Sequence, residues 1–249
     1  MNLLLELRRW LDKVKMRALI SKLQETFRPS RSIPRTSWTA DHPWQLSFRR
    51  VVILYFGLLL LGIGGAIVVQ SGLGNAPWTV FAQGISIKTG ISLGWSFFLV
   101  SCAVLLMWFP LKLKPGFGTI SNALIFALTL QTTLNLITPP DSFAVALSAV
   151  FFGIILVGAG TAIYVTCGLG GGPRDGLMIG IVQNTRWRVA YIRAGIEGSV
   201  LILGFFLGGK VGIGTVLTVF LAGWSVAIWF NVVGKIAPPT EERFIQPEL

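Results

Sequence analysis

The sequence predicts an all-α, polytopic membrane protein with six transmembrane helices. These helices form two inverted three-helix repeats, each with a short helix that begins at a glycine-proline step. Three observations support this prediction. Hydrophobic residues make up 53% of the 249 positions and charged residues only 12%, with a mean hydropathy of +0.71, whereas charged residues make up about 25% of a typical soluble domain. Several apolar runs are long enough to cross a bilayer, and a set of landmarks recurs at a constant separation of 96 positions.

The apolar runs define the predicted transmembrane helices, because a helix needs about 20 apolar residues to cross the hydrocarbon core. Six runs meet this length: 51–70, 91–111, 117–137, 143–166, 189–208 and 211–233. Tryptophans are typical of membrane–water interfaces. Six of them stand near the predicted helix ends: Trp44, Trp78, Trp95, Trp108, Trp187 and Trp229.

The distribution of lysine and arginine predicts that both termini are cytoplasmic. Residues 1–50 contain eleven basic residues against four acidic ones, which is +7 of the formal net charge of +11. With the N-terminus inside, the cytoplasmic segments hold eighteen basic residues, and the outer segments hold only Lys88 and Lys210. Cytoplasmic loops of membrane proteins carry such an excess. A basic segment ahead of a membrane domain indicates contact with anionic lipid and argues against nucleic-acid binding.

The predicted organisation has four parts. Residues 1–45 form a basic cytoplasmic segment, 46–138 the first transmembrane repeat, 139–235 the second repeat, and 236–249 a cytoplasmic tail. Within the first part, apolar residues at helical spacing predict an amphipathic helix on the membrane surface. A solvated helix or a partly disordered tail is the open alternative. A linker rich in proline, serine and threonine follows at 28–44.

The internal repeat predicts the inverted architecture. Because one copy contains three crossings, an odd number, the second copy enters the membrane upside down. Many secondary transporters have such inverted repeats, although channels and proteins without transport activity have them as well. The landmarks that match at an offset of 96 are Gly62/Gly158, Gly64/Gly160, Gly72-Leu73-Gly74/Gly168-Leu169-Gly170, Pro77/Pro173, Gly116/Gly212, Gly118/Gly214 and Thr119/Thr215.

Each Gly-Leu-Gly-x-x-Pro motif precedes a short segment, at 77–88 and 173–185. Twelve or thirteen helical residues extend only about 18–20 Å, which is too short to cross the bilayer. Proline is favoured in the first turn of a helix, and glycine permits the turn before it. The helix N-termini would then bind polar groups within the membrane; an interfacial position of both helices is the alternative. The Lys-Ser/Thr step of a phosphate-binding loop is absent, so nucleotide binding is not expected.

Four ionisable residues lie at or near membrane depth in the second copy: Arg174, Asp175, Arg193 and Glu197. Asp175 is in the first turn of the predicted short helix, as a capping residue or as a functional contact. Arg193 and Glu197 are four residues apart, so they share a helix face. They are interpreted either as a structural pair or as a proton-coupling pair.

These features predict a substrate site near the middle of the membrane, between the two glycine loops. The predicted substrate-binding residues are Gly74, Asn75, Gly170, Gly172, Arg174, Asp175, Arg193 and Glu197. No HExxH or GxSxG motif is present, and the two cysteines and one histidine do not have metal-ligand spacing. No enzymatic activity, cofactor or metal is therefore expected.

The motifs Gly-Pro-Arg-Asp-Gly at 172–176 and Gly-Ile-Gly-Thr-Val at 212–216, with Arg193-xxx-Glu197 between them, resemble the YczE/YyaS/YitT-type bacterial integral membrane proteins, and the YczE branch in particular. The resemblance covers roughly 50–235. It implies an inner-membrane protein with about six transmembrane helices, and it does not supply a substrate. The family pattern often places an acidic residue after the first Pro-Trp, where this chain has Thr79.

The sequence therefore favours a multi-pass inner-membrane transporter or permease for an unknown small molecule. The alternative is a regulatory or scaffold membrane protein that does not transport and acts through its basic N-terminal segment. The expected partners are the lipid bilayer, with anionic lipid at that segment, and the substrate. Homo-oligomerisation is left open.

Overall fold

The computed structural model describes residues 25, 28–30, 32–185 and 187–239 of the chain. The helix predicted near the N-terminus lies outside the described residues, apart from Glu25. The described part is all-helical. Its eight helices are α1 Phe48–Gln70, α2 Pro77–Thr89, α3 Leu93–Leu106, α4 Phe117–Leu136, α5 Phe143–Thr166, α6 Pro173–Thr185, α7 Val189–Phe206 and α8 Ile213–Ile236.

The helix order and the loop conformations repeat at an offset of 96 residues. Helices α2 and α6 have equivalent first and last residues, and both begin at a proline. In the loops before them, Gly72 and Gly168 have φ of 70° and 69°, and Gly74 and Gly170 both have φ of 111°. Glycine is the residue that adopts positive φ without steric strain. The repeated sequence motif therefore encodes one backbone conformation twice.

Helices α1 and α5 cross in close contact at two glycine pairs. A Cβ atom added at Gly57 would lie 2.9 Å from the carbonyl oxygen of Gly160, and one added at Gly153 would lie 2.8 Å from that of Gly64. Gly153 and Gly160 are the counterparts of Gly57 and Gly64 at the offset of 96, so the two contacts join equivalent positions. Small residues allow helix backbones to approach this closely in a membrane.

Each glycine loop also contacts the first turn of a helix in the other half of the chain: the first loop contacts α8, and the second loop contacts α4. The backbone N–H of Gly118, in α4, donates to the Leu169 carbonyl at 2.7 Å, and that of Gly214, in α8, donates to the Leu73 carbonyl at 2.8 Å. Non-helical backbone within a membrane needs hydrogen-bond partners from the protein. These two bonds provide partners for the carbonyl groups of Leu73 and Leu169, in each case from the other half.

The second predicted transmembrane run, 91–111, is wrong in its extent. Helix α3 ends at Leu106, and residues 107–112 form turns. Pro110 explains the early end, because proline disfavours a helical conformation in the residue before it and cannot donate a backbone hydrogen bond. Within the described residues, five helices are long and apolar enough to cross a membrane: α1, α4, α5, α7 and α8. Helices α2 and α3 provide a sixth candidate only as a pair, bent by 116°.

The predicted linker packs against one end of the bundle. Ala40 donates its N–H to the Cys167 carbonyl at 2.9 Å, and Arg50 Nε donates to the Trp38 carbonyl at 2.9 Å. We call this the Cys167 end. The opposite end, where Gln70 Nε2 donates to the Ile137 carbonyl at 2.6 Å, is called the Gln70 end.

The predicted tryptophan belt is correct only in part. Trp44, Trp95 and Trp187 are at least half exposed, whereas Trp78 and Trp108 are 8% and 6% exposed. The last two face the protein interior, so nearness to a helix end did not indicate an interfacial position. The Trp108 indole donates to the Pro173 carbonyl at 2.9 Å and packs against Gly176.

Replacing Gly57 with alanine should destabilise the protein by roughly 1–3 kcal/mol, because the added methyl group would lie 2.8 Å from the backbone nitrogen of Tyr164 and force α1 away from α5. The measurement is the apparent melting temperature in detergent. Gly198→Ala is the matched control, since a Cβ there meets no atom within 4 Å. Equal melting temperatures for the two variants would contradict the close crossing.

Candidate functional site

One cavity of about 380 Å³ lies between the two halves of the protein. Both glycine loops and the first turns of both short helices contribute residues to it. Its volume is in the range of small-molecule sites, which is about 300–1,000 Å³. Six of the eight predicted site residues line it: Asn75, Gly172, Arg174, Asp175, Arg193 and Glu197. The structure therefore brings together residues that lie up to 122 positions apart, from 75 to 197.

Gly74 and Gly170, the other two predicted site residues, do not line the cavity. Each packs against the helix start of the other half. A Cβ at Gly74 would lie 2.7 Å from Thr215 Oγ1, and one at Gly170 would lie 2.7 Å from Thr119 Oγ1. Their place in the structure is explained by the backbone turn and by this close packing.

The Arg174 side chain lies on aromatic rings from the first half of the chain. Its guanidinium carbon is 4.7 Å from the ring centre of Phe97, 5.6 Å from that of Trp78 and 6.0 Å from that of Phe126. Arginine is attracted electrostatically to aromatic faces within about 6 Å. Arg174 makes no hydrogen bond, and no ion pair within 4 Å, with a residue that the structure describes. Its N–H donors are therefore available to a bound molecule.

Oxygen atoms cluster beside Gly172, on the same cavity wall. The Tyr164 hydroxyl donates to Asp175 Oδ2 at 3.3 Å. A Cβ placed at Gly172 would lie 3.2 Å from the Tyr164 oxygen, 3.3 Å from Asp175 Oδ2 and 3.5 Å from Asn122 Oδ1. The absence of a side chain at Gly172 therefore leaves a small space bordered by three oxygen atoms. The hydrogen bond to the Asp175 carboxylate therefore comes from another helix, α5, which carries Tyr164.

Arg193 and Glu197 form the ion pair that their spacing predicts. Arg193 Nε lies 2.9 Å from Glu197 Oε1, and the two side chains are 56% and 29% exposed. An exposed pair of this kind on one helix contributes only a few tenths of a kcal/mol to stability, about 0.3–0.5. The pair borders the cavity on α7.

Asn75 contributes an unpaired acceptor on the opposite side. The residue is 1% exposed, and its Nδ2 donates to Gln83 Oε1 at 2.9 Å. The same Gln83 oxygen accepts the Lys210 N–H at 2.7 Å. Asn75 Oδ1 has no hydrogen-bond partner among the described residues. A buried acceptor without a partner lowers stability by about 1–3 kcal/mol, and a molecule with an N–H or O–H group in the cavity would remove that penalty.

The cavity is closed on one side and open on another. In the first half, α3 packs on α4: the ring centres of Phe97 and Phe126 are 4.4 Å apart, and the Gly94 N–H donates to Gln131 Oε1 at 2.9 Å. The equivalent helices α7 and α8 do not pack along their lengths. Gly223, on the cavity wall of α8, faces open space. The cavity therefore opens between α7 and α8, near Arg193.

Sequence reasoning missed Tyr164, Trp78 and Phe97 as site residues. The repeat could have indicated Trp78 and Phe97, because each aligns with a charged residue of the second copy. Trp78 is the counterpart of Arg174, since 78 + 96 = 174, and Phe97 is the counterpart of Arg193. No comparable signal marks Tyr164, because its contact with Asp175 depends on the turn of the intervening loop.

Metal binding has little support within the described ranges. No group of three or more His, Cys, Asp or Glu side chains is close enough there to hold a metal ion. The charges in the cavity come from Arg174, Asp175, Arg193 and Glu197, and all four belong to the second half. The first half supplies mainly apolar side chains, with amides at Asn75 and Asn122. The cavity therefore has a largely apolar lining whose charges all come from one half, although its backbone frame is repeated.

Comparison with known proteins finds relatives that cover most of this chain. An uncharacterised protein from Haemophilus influenzae is 47% identical over 206 residues, 83% of this chain and 94% of the relative. From Bacillus subtilis strain 168, the uncharacterised membrane protein YczE is 33% identical over 182 residues, 72% of this chain and 81% of the relative. The uncharacterised protein YyaS of the same strain is 29% identical over 187 residues, 72% of this chain and 91% of the relative.

No solved structure matches the chain significantly. The matches to YczE and YyaS confirm the resemblance that the glycine motifs indicate. The apolar helices together with the match to YczE identify a membrane protein. The model of a family of unknown function, DUF6198, matches residues 48–231, from the first residue of α1 into α8. The chain therefore belongs to that family, as a membrane protein of the YczE type.

Proposed function

We propose that this protein is a small-molecule transporter or permease with six transmembrane segments in two inverted repeats. The observation that carries the proposal is the contact between Arg174 and Trp78 at the cavity. The two residues occupy equivalent positions of the repeat, and a residue that touches its own counterpart lies beside the axis relating the copies. In an inverted repeat this axis lies in the membrane plane, where secondary transporters bind their substrates.

The six segments of the proposal count the bent pair α2–α3 as one. Lysine and arginine are concentrated in the segments at the Cys167 end, which supports a cytoplasmic position for that end and for both termini. We further infer that the membrane is the bacterial inner membrane and that the basic segment 1–45 contacts anionic lipid. The proposal includes no enzymatic activity and no nucleic-acid partner.

The difference between the halves supports alternating access. Helices α3 and α4 are in contact through Phe97 and Phe126, while α7 and α8 leave the cavity open. Two nearly equivalent halves in different arrangements are what a transporter needs, because exchanging the arrangements would close the cavity on one side and open it on the other. The structure is then one of two end states.

The scaffold alternative receives less support. A scaffold requires only close packing, and the α1–α5 crossing at Gly57 and Gly160 supplies that. It does not require Arg174 to lack an ion-pair partner or Asn75 Oδ1 to lack a hydrogen-bond partner. Groups of this kind lower stability unless a ligand contacts them, so the cavity favours transport.

Reporter fusions test the proposed topology. Alkaline phosphatase fused within Pro139–Ser142, which lies at the Gln70 end, should be active because this connection is outside. The same enzyme fused after Lys114 should be inactive, because that connection is inside. Green fluorescent protein fused at the same two positions is the control: it should fluoresce after Lys114 and not within Pro139–Ser142. A cytoplasmic Pro139–Ser142 connection would contradict the inverted repeat.

Flux measurements test the proposed function. Proteoliposomes containing the full chain are loaded with an isotope-labelled metabolite extract, and solutes that leave faster than from empty liposomes are identified by mass spectrometry. Glu197→Gln and Asp175→Asn should each slow that flux by about tenfold or more, since each removes a charge from the cavity wall without changing side-chain size.

Asp141→Asn is the control for these variants, because Asp141 lies in the exposed connection between α4 and α5. It should transport at the wild-type rate. Equal melting temperatures would show that the slow variants are folded. The absence of any solute flux above that of empty liposomes would overturn the transport proposal and favour a scaffold.

A further inference from the structure

The cavity offers two recognition features of opposite polarity. Arg174 presents N–H donors that make no hydrogen bond or ion pair with a described residue. The space beside Gly172 is bordered by the oxygen atoms of Tyr164, Asp175 and Asn122. Both features line the same cavity, and Arg174 and Gly172 are two residues apart in the chain. A ligand that satisfies both must carry an anionic group and a hydrogen-bond donor close together.

The anionic group is best accounted for as a carboxylate. A guanidinium binds a carboxylate with two parallel hydrogen bonds. Arg174 is held in place by the rings of Phe97, Trp78 and Phe126, so its planar fork is oriented before a ligand arrives. The rings of Trp78 and Phe126, which line the cavity, also form an apolar surface for the body of the ligand.

The donor is best accounted for as a primary ammonium group. A Cβ at Gly172 would lie 3.2–3.5 Å from three oxygen atoms, so these atoms converge beside the Gly172 backbone, and one of them belongs to the Asp175 carboxylate. An ammonium group has three N–H donors around one positive charge, which matches three acceptors and one negative charge. Asn75 Oδ1, the unpaired buried acceptor, is available to a further donor of the ligand.

We propose that the cavity binds an amino-acid-like zwitterion. Its carboxylate contacts Arg174, its ammonium group contacts the three oxygen atoms beside Gly172, and its apolar side chain lies against Trp78 and Phe126. This inference rests on the proposed function, since it names the class of molecule that the same cavity would carry. It also explains why position 172 lacks a side chain, because a side chain there would stand among the three oxygen atoms and shield them from the ligand.

Three probes with one phenyl body separate the two recognition features. L-Phenylalanine carries both charged groups, 3-phenylpropionate only the carboxylate, and 2-phenylethylamine only the ammonium group. Binding to the full chain in detergent is measured by titration calorimetry and by thermal shift, because a ligand of the folded state raises its apparent stability. L-Phenylalanine should bind more tightly than either single-charge probe by about tenfold or more.

Two variants and their controls test the assignment of the groups. Gly172→Ala places a methyl group among the three oxygen atoms and shields them, so it should weaken L-phenylalanine and 2-phenylethylamine by about tenfold and leave 3-phenylpropionate unchanged. Gly171→Ala is its matched control, because a Cβ there meets only the Asp175 Cβ at 3.8 Å. Arg174→Gln should weaken the two carboxylates and spare the amine, with Arg188→Gln as its control.

The outcomes distinguish this inference from the transport proposal. If L-phenylalanine binds as expected but does not cross proteoliposome membranes, the site stands and transport fails. If other solutes are transported while L-phenylalanine binds no better than the single-charge probes, the zwitterion assignment fails and transport stands. The melting temperature is also compared in sodium chloride and in choline chloride. If sodium raises it and Gly172→Ala removes that increase, the oxygen atoms bind a metal cation and the inference is overturned. Failure of all three probes to bind would overturn it as well.

Discussion

The fold depends on hydrogen bonds that satisfy the irregular backbone of the two glycine loops. Non-helical backbone lacks the internal hydrogen bonds of a helix, so its buried carbonyl groups need other partners. The two halves supply these partners to each other: Gly118 donates to Leu169, and Gly214 donates to Leu73. Each loop is therefore stabilised by a helix start of the other copy, and the two bonds hold the halves together around a common centre.

The charged side chains of the cavity lie around this centre. Because both loops are held by the opposite half, the first turns of α2 and α6 come together and place Arg174 on Trp78. The repeated frame positions equivalent residues against each other, and divergence between the copies then makes the pair complementary: a cation in one copy and an aromatic ring in the other. The same divergence gives the second copy the carboxylate of Asp175 at the position where the first copy has Thr79.

A closely packed helix crossing and the cavity are neighbours in the interior. Helices α1 and α5 cross with backbone contacts at Gly57 and Gly64. The cavity lies alongside this crossing, since Leu61 and Gly65 of α1 and Tyr164 of α5 line it. Helices α7 and α8 do not pack along their lengths, so one wall of the cavity is closely packed and another is open. Under the proposed transport mechanism, the α1–α5 crossing would keep its arrangement while α7 and α8 move.

The sequence by itself determined the all-helical membrane architecture, the 96-residue spacing of the landmarks and the start of both short helices at proline. Hydropathy, glycine and proline act locally, so they are readable without coordinates. Six of the eight predicted site residues line the cavity, and four of these, Arg174 and Glu197 among them, could be identified because charged residues in or beside apolar runs are rare. The early end of α3 was also readable, from Pro110, but was overlooked.

Only the tertiary structure decided which side of each loop faces the cavity. Gly74 and Gly170 turn toward helix starts, while Gly172 opens onto the oxygen atoms, although all three stand in the same motif. It alone also revealed that Trp78 is buried under Arg174 and that α7 stands apart from α8. These facts are contacts between residues far apart in the chain, and local periodicity carries no information about which distant side chains meet.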